Sequence, residues 1–247
     1  MGNVLLANNI VRWDGEIWQT LDGRGPAPVA GGISVPTVKS LWLDGASLYV
    51  AGAFTTVAGV DDTEHLARYD ITNDRWRSVA PSDSFQSSLG DVVLTGQALF
   101  ALSRFTDLPS GGNGYYLGAW RGIEWSYADP EGSADDNRVV IGNPSDVCML
   151  AHAGKIYIGG DLASVGGQAA SGFAALDLSS GVWETFGASE NANAVRKFSR
   201  PAKVYAIASI KDDVYVGGDF NYAGNVSANG VARWDGSQWH QLGTNYD

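Results

Sequence analysis

Five tryptophans mark one recurring point along the chain: Trp18, Trp76, Trp125, Trp183 and Trp239, spaced between 49 and 58 residues apart. A period of that length is the mark of stacked supersecondary units, none of which can bury both of its faces alone. Each Trp follows a short apolar strand: Ile10-Val-Arg-Trp-Asp14, Ala67-Arg-Tyr-Asp70, Gly118-Ala-Trp-Arg121, Ala174-Ala-Leu-Asp177 and Val231-Ala-Arg-Trp-Asp235. Earlier in four of these units stands an alternating run: Leu48–Phe54, Ala98–Phe105, Lys155–Leu162 and Asp213–Phe220. Alternation of apolar and polar residues is the strand period.

The connections agree. Trp13-Asp14-Gly15 and Trp234-Asp235-Gly236 put Asp-Gly between apolar runs, the strongest short hairpin signal. Asp70–Asp74 and Asp177–Gly181 make the same connection two residues longer. Asp44-Gly45, Gly96-Gln97, Ala153-Gly154 and Asp212-Asp213 mark the turn after a first strand, predicted over Val38–Leu43, Asp91–Thr95, Asp146–Ala151 and Val204–Ser209. Each unit then reads as a meander of four antiparallel strands. Radial stacking of such sheets buries both faces, so the expected fold is all-β, a β-propeller with four full blades and half of a fifth. The expected domain is single, residues 1–247, with a half blade over 1–24 and full blades over 31–80, 81–129, 130–187 and 188–243.

Composition narrows the function classes. Thirty-two Gly, nine Trp, ten Tyr and eight Phe against two Met favour packed strands over helices. A net charge of −11 repels a phosphate backbone, which argues against nucleic acid as the main ligand. One basic run, Arg196, Lys197, Arg200 and Lys203, departs from that trend and reads as a solvated loop. No stretch approaches the roughly 18 apolar residues of a membrane-spanning helix, so membrane insertion is not expected. Cys148 is the single cysteine and excludes an intrachain disulfide.

The order Tyr-Val-Gly-Gly at 215–218, with Ala67-Arg-Tyr-Asp70-Ile-Thr-Asn-Asp74-Arg-Trp76 as the later strands of a unit, resembles the kelch repeat of galactose-oxidase-type propellers. Gly159-Gly160 and Gly217-Gly218 match that family's glycine pair; Ala51-Gly52 matches half of it, and Leu102-Ser103 replaces it. The stretch from Gly217 to Gly243 is similar to degenerate kelch-like repeats of surface and secreted proteins. The resemblance implies an extracellular or cell-surface location. It also implies that the recurring aromatics Trp13, Trp18, Trp76, Trp120, Trp125, Trp183, Trp234 and Trp239 pack between blades.

Catalytic constellations are not evident. His65, His152 and His240 fall at different points of different repeats, without the spacing of a local metal motif. The copper site of galactose oxidase takes two Tyr and two His, one Tyr being linked to a Cys; Cys148 lies among apolar strand residues and reads as core. Ser179–Trp183 and Asp235–Trp239 lack the full aspartate box of sialidases. Acidic loops at Asp61-Asp62-Thr63-Glu64 and Asp135-Asp136-Asn137 do not have calcium-loop spacing. Neither a cofactor nor a metal is expected. Asn225-Val226-Ser227 is the one glycosylation sequon, which a secretory eukaryotic route would use.

The expected function is therefore a non-enzymatic structural or protein-interaction module of a larger surface assembly. A carbohydrate-binding propeller is the alternative, and a glycan-active hydrolase or oxidase the third. Asn9–Trp13 and Ile17–Leu21 read as strands three and four of a blade lacking its first two. Two strands from upstream sequence or from a neighbouring subunit are expected to complete a ring of about five blades.

Overall fold

A computed structural model describes residues 9–21, 36–96, 98–104, 115–126, 138–143, 146–186, 194–198 and 200–243. They form antiparallel sheets throughout, with one short 3-10 turn at Ser82–Ser84. Two compact units divide the chain, one drawn from residues 1–107 and 118–126, the other from 108–117 and 127–247.

The first unit opens with the hairpin β1 (Val11–Trp13) and β2 (Trp18–Thr20). A four-stranded meander follows: β3 (Thr37–Asp44), β4 (Ser47–Ala53), β5 (Leu66–Asp70) and β6 (Arg75–Arg77). Next come β7 (Val92–Thr95) and β8 (Ala98–Ser103), then β9 (Tyr115–Trp120) with β10 (Trp125–Ser126). Strand β9 is shared, its second half belonging to this unit. Ile10, Leu21, Val50, Phe54, Val57, Ala67, Tyr69 and Trp76 form one buried cluster here, so the opening hairpin docks through its end residues.

In the second unit, β12 (Cys148–His152), β13 (Lys155–Gly159), β16 (Phe173–Asp177) and β17 (Trp183–Thr185) make one meander. Strands β20 (Lys203–Ile210), β21 (Asp213–Asp219), β24 (Val231–Trp234) and β25 (Trp239–Gln241) make another. Their interior is aromatic. Phe173 and Phe186 meet at 4.8 Å, Phe186 lies edge-on to Trp234 at 5.1 Å, and Trp239 touches both Phe rings at 5.7 and 5.8 Å. Tilted and edge-on pairs at these separations are the favoured geometries and add to the area they bury.

Every strand predicted around the recurring Trp residues is present, the boundaries moving by up to three residues. The loops between second and third strands are a different matter. They hold the hairpins β14 (Leu162–Val165) with β15 (Gln168–Ala169), and β22 (Tyr222–Ala223) with β23 (Val226–Ser227). A strand just before each meander pairs with its hairpin: β11 (Arg138–Ile141) with β14, and β18 (Val195–Lys197) with β22. The turn residues explain the hairpins. Gly166 and Gly167 have φ of 52° and 73°, and Ala58 and Gly59, between the bridged Val57 and Val60, have 54° and 73°. Positive φ at both central positions is the twist-matched two-residue turn. Arg196 and Lys197 thus lie in β18, and Lys203 opens β20, rather than in the solvated loop expected of the basic run; β19 is Arg200–Pro201.

Paired glycines reflect a close backbone approach. Strand β20 carries a bulge between Val204 and Ala206 opposite Gly218 and Gly217, and β3 carries its equivalent between Val38 and Ser40 opposite Gly52 and Ala51. A Cβ on Gly218 would lie 2.1 Å from the Lys203 carbonyl oxygen, and one on Gly52 2.0 Å from that of Thr37. Only glycine fits there.

Candidate functional site

The turns between third and fourth strands show how these repeats use their polar residues. Asp14 Oδ1 accepts the amides of Glu16 and Ile17, both at 2.9 Å. Asp70 accepts from Asn73, Asp177 from Ser179 and Ser180, and Asp235 from Ser237 and Gln238. These are Asx turns, in which a carboxylate satisfies turn amides and lets the chain reverse. The hydrogen bonds hold each carboxyl below its usual range: Ser179 takes Asp177 to about 2, and the His240 ring at 2.5 Å lowers Asp235 most. Asp14 and Asp70 are lowered chiefly by the Ile17 amide and the Asn73 side chain.

The second repeat breaks the pattern. Arg121 occupies the position of Asp14, Asp70, Asp177 and Asp235. It donates to Ser126 Oγ at 2.8 Å and is one of the residues that line a cleft of about 410 Å³. Asp44, Tyr49 and Arg68 of β3, β4 and β5, Leu94 of β7, Trp120 of β9 and Arg121 just after it line the cleft, all within the first unit. Trp120 is half-buried, its ring 5.6 Å from Trp125, which in turn meets Phe85 edge-on at 5.3 Å. A volume of a few hundred Å³ with a few convergent polar groups is the ordinary form of a small-molecule site.

Arg68 also departs from its counterpart. In the last repeat, Arg233 donates to Asp213 Oδ2 at 2.9 Å. The residue of β4 in the Asp213 position is Ser47. Arg68 Nε is enclosed and has no hydrogen-bond acceptor among the described residues, and the residue directly opposite on β6 is Arg77, which is paired with Asp70 at 3.3 Å.

The remaining expected positions are dispersed. Trp76, Trp183, Trp234 and Trp239 are buried, Trp125 is half-buried, and Trp13 and Trp18 are about half exposed, their rings meeting at a tilt with centroids 5.3 Å apart. The last two do not share the burial expected of repeat aromatics, because β1 and β2 form a sheet by themselves. His65 is buried in the left-handed region (φ 63°), where Gly172 and Gly230 stand in the equivalent positions, each accepting from the last glycine of the pair. Burial lowers its pKa, against the pull of Glu64 at 3.6 Å. His152 ends β12 with Nε2 enclosed and without a partner among the described residues, and the Cys148 thiol donates to the Val204 carbonyl at 3.8 Å.

The basic run is largely engaged. Arg196 stacks on Tyr222 and donates to the Gly224 carbonyl at 2.8 Å, Lys197 pairs with Asp219, and Lys203 pairs with Asp161 at 2.8 Å. Asp161 raises the Lys203 pKa. Asn225 is exposed at the β22–β23 turn. Asp61 and Asp62 are exposed, Thr63 is buried in hydrogen bonds to its own loop, and Asp135-Asp136-Asn137 lie outside the described residues. Among the described residues no three His, Cys, Asp or Glu side chains are grouped as metal ligands, and no helix is long and apolar enough to cross a membrane.

No protein-family model matches the chain, and no curated protein matches it. Among solved structures it is similar to the extracellular domain of BT4673 from B. thetaiotaomicron, at 14% identity and a TM-score of 0.54, over 95% of this chain and 25% of that one. The chain thus spans about a quarter of the length of that extracellular domain. It is also similar to the computationally designed Ika4 protein (14% identity, TM-score 0.44, 87% of this chain and 97% of that one). A third is the Bacteroides ovatus xyloglucan PUL GH43B (12% identity, TM-score 0.39, 90% and 42%). At 14% identity the likeness to the BT4673 domain bears on the fold alone.

Proposed function

We propose that the chain is a kelch-like β-propeller serving as a non-catalytic, extracellular interaction module. Three complete four-stranded meanders and the comparable run of β7–β10 support the blade reading, with β1–β2 as strands three and four of a further blade. The observation that carries the non-catalytic reading is local engagement of the polar residues. The repeat aspartates cap turns, His240 is held by Asp235, and Lys155, Lys197, Lys203 and Arg233 are each paired with an acid. A protein partner or neighbouring subunit docks by adding a strand to β1, whose second edge is unpaired among the described residues.

The carbohydrate-binding reading has its own support. Trp120 and Tyr49 line an open cleft instead of closing a packed interior, and half-exposed aromatic rings present a flat apolar face beside a polar rim. Incubating the purified chain with immobilised glycans and with a panel of soluble glycosides tests both readings. Retention on glycans without sugar release supports a binding module. Release of reducing sugar above the blank would overturn the non-catalytic reading.

A further inference from the structure

We propose that the cleft between β3–β4, β7–β8 and β9–β10 binds a carboxylate-bearing saccharide, a uronic-acid oligosaccharide, through Arg68 and Arg121. This rests on the carbohydrate-binding reading above and names the chemical class of its ligand.

Two independent departures from the internal repeat meet in one cavity. Arg121 replaces the aspartate that caps the equivalent turn in every other repeat, and Arg68 keeps the arginine of the last repeat while Ser47 stands in the register position of Asp213. Each change adds positive charge, or removes negative charge, at the same place in a chain of net charge −11. Neither reproduces the interaction that its counterparts in the other repeats make. The first discards a turn cap, and the second leaves an enclosed Nε without an acceptor. An incoming anion meets the parts of both guanidinium groups that line the cleft, and such groups bind carboxylates through paired, charge-assisted hydrogen bonds.

The other lining residues choose among anions. Asp44 stands in the same cleft and opposes a dense dianion, while its carboxylate accepts hydrogen bonds from ring hydroxyls. Tyr49 and Trp120 offer rings against which a sugar face packs, with Leu94 extending the apolar wall. A ring that bears one carboxylate and several hydroxyls matches all of these groups at once.

The test is titration calorimetry of the whole chain with oligogalacturonides and with hyaluronan oligosaccharides, each beside its carboxyl-methylated form. Free sulfate and glutamate serve as anions without a sugar ring. Arg121→Asp restores the residue of the other repeats, so it keeps the turn and is expected to fold. Arg68→Gln is the second variant. The expected result is binding of at least one acidic series, at least tenfold weaker for its ester and for both variants, and weaker in high salt. Equal affinity for acid and ester, unchanged by Arg121→Asp, would overturn the acidic ligand and leave a neutral carbohydrate module. Sulfate or glutamate binding as tightly as the oligosaccharides would overturn the sugar. No binding by any saccharide would overturn this inference together with the carbohydrate-binding reading.

Discussion

Adjacent glycines of β21 should respond in opposite ways to the same methyl group. A Cβ on Gly218 falls 2.1 Å from the Lys203 carbonyl oxygen and 2.8 Å from Val204 Cα, both backbone atoms that cannot rotate away. Carbon and oxygen approach to about 3.3 Å even in close strand contacts, so the two strands must part by about 1 Å at the bulge. That movement strains the pairing of Lys203 with Asp219 and of Val204 with Gly218. Overpacking costs about 1–3 kcal/mol and each weakened ladder bond about 1 kcal/mol more. Gly218→Ala should therefore lose about 3 kcal/mol. At Gly217 the nearest atoms to a new Cβ are 4.0 Å away and the backbone conformation is ordinary. Gly217→Ala should be neutral, or stabilise by about 0.5 kcal/mol by restricting the unfolded chain. Urea unfolding followed by Trp fluorescence is suited to the comparison, because Trp234 and Trp239 lie in the buried aromatic cluster of the same unit. Equal midpoints for the two variants would refute the close-approach reasoning.

Other outcomes follow from burial and charge. Trp183→Ala should cost about 3–5 kcal/mol because the ring is 5% exposed, whereas Trp18→Ala, at 56% exposed, should cost under about 1 kcal/mol; urea midpoints separate them. His65 is lowered by burial, so the unfolded state takes up a proton near pH 6.5 that the folded state refuses. Stability should then fall as pH drops from about 7 towards 5, and His65→Gly should flatten that slope whatever it does to absolute stability; parallel pH profiles of the melting temperature would contradict this. Elemental analysis of the purified chain should find no stoichiometric copper, zinc or iron, given that the described His, Cys, Asp and Glu residues do not gather in threes.

The meander strands were legible because two signals coincided in each: period-two alternation and a turn residue whose chemistry is specific, as in Asp235-Gly236. The hairpins β14–β15 and β22–β23 were not, although Val165-Gly-Gly-Gln168 carries a turn signal of the same kind. Their strands are two to four residues long, too short for alternation to register, and their partners β11 and β18 are remote in sequence. The same distance hid the basic run, since the acids Asp219 and Asp161 that neutralise Lys197 and Lys203 are far along the chain. Trp13 and Trp18 fit the repeat as well as any other pair. What buries the others is a neighbouring sheet, and a sequence period carries no information on whether one is present.

Departures from the repeat divide into two kinds, and only the structure tells them apart. Ser103 replaces the second glycine of the pair, but β7 pairs with β8 without a bulge, and the Ser103 hydroxyl donates to the Ser87 carbonyl at 3.1 Å. The substitution is compensated where it stands. The others are different: Arg121 gives up the turn cap for a bond to Ser126 Oγ, Arg68 has an enclosed Nε without an acceptor among the described residues, and His65 is a non-glycine residue held at φ 63° whose Nδ1 has no partner among them either. A left-handed non-glycine residue costs on the order of 1–2 kcal/mol, and an unsatisfied buried polar atom costs about 1–3 kcal/mol. Positions that violate local rules without local gain are where a fold gives up stability to something outside itself. All three lie in the first unit, and two of them line a single cleft. The convergence of Arg68 and Arg121 on one cavity, which the enclosed His152 Nε2 of the second unit does not line, is the reason to look for a ligand at that cleft rather than along the capped turns of the last two repeats.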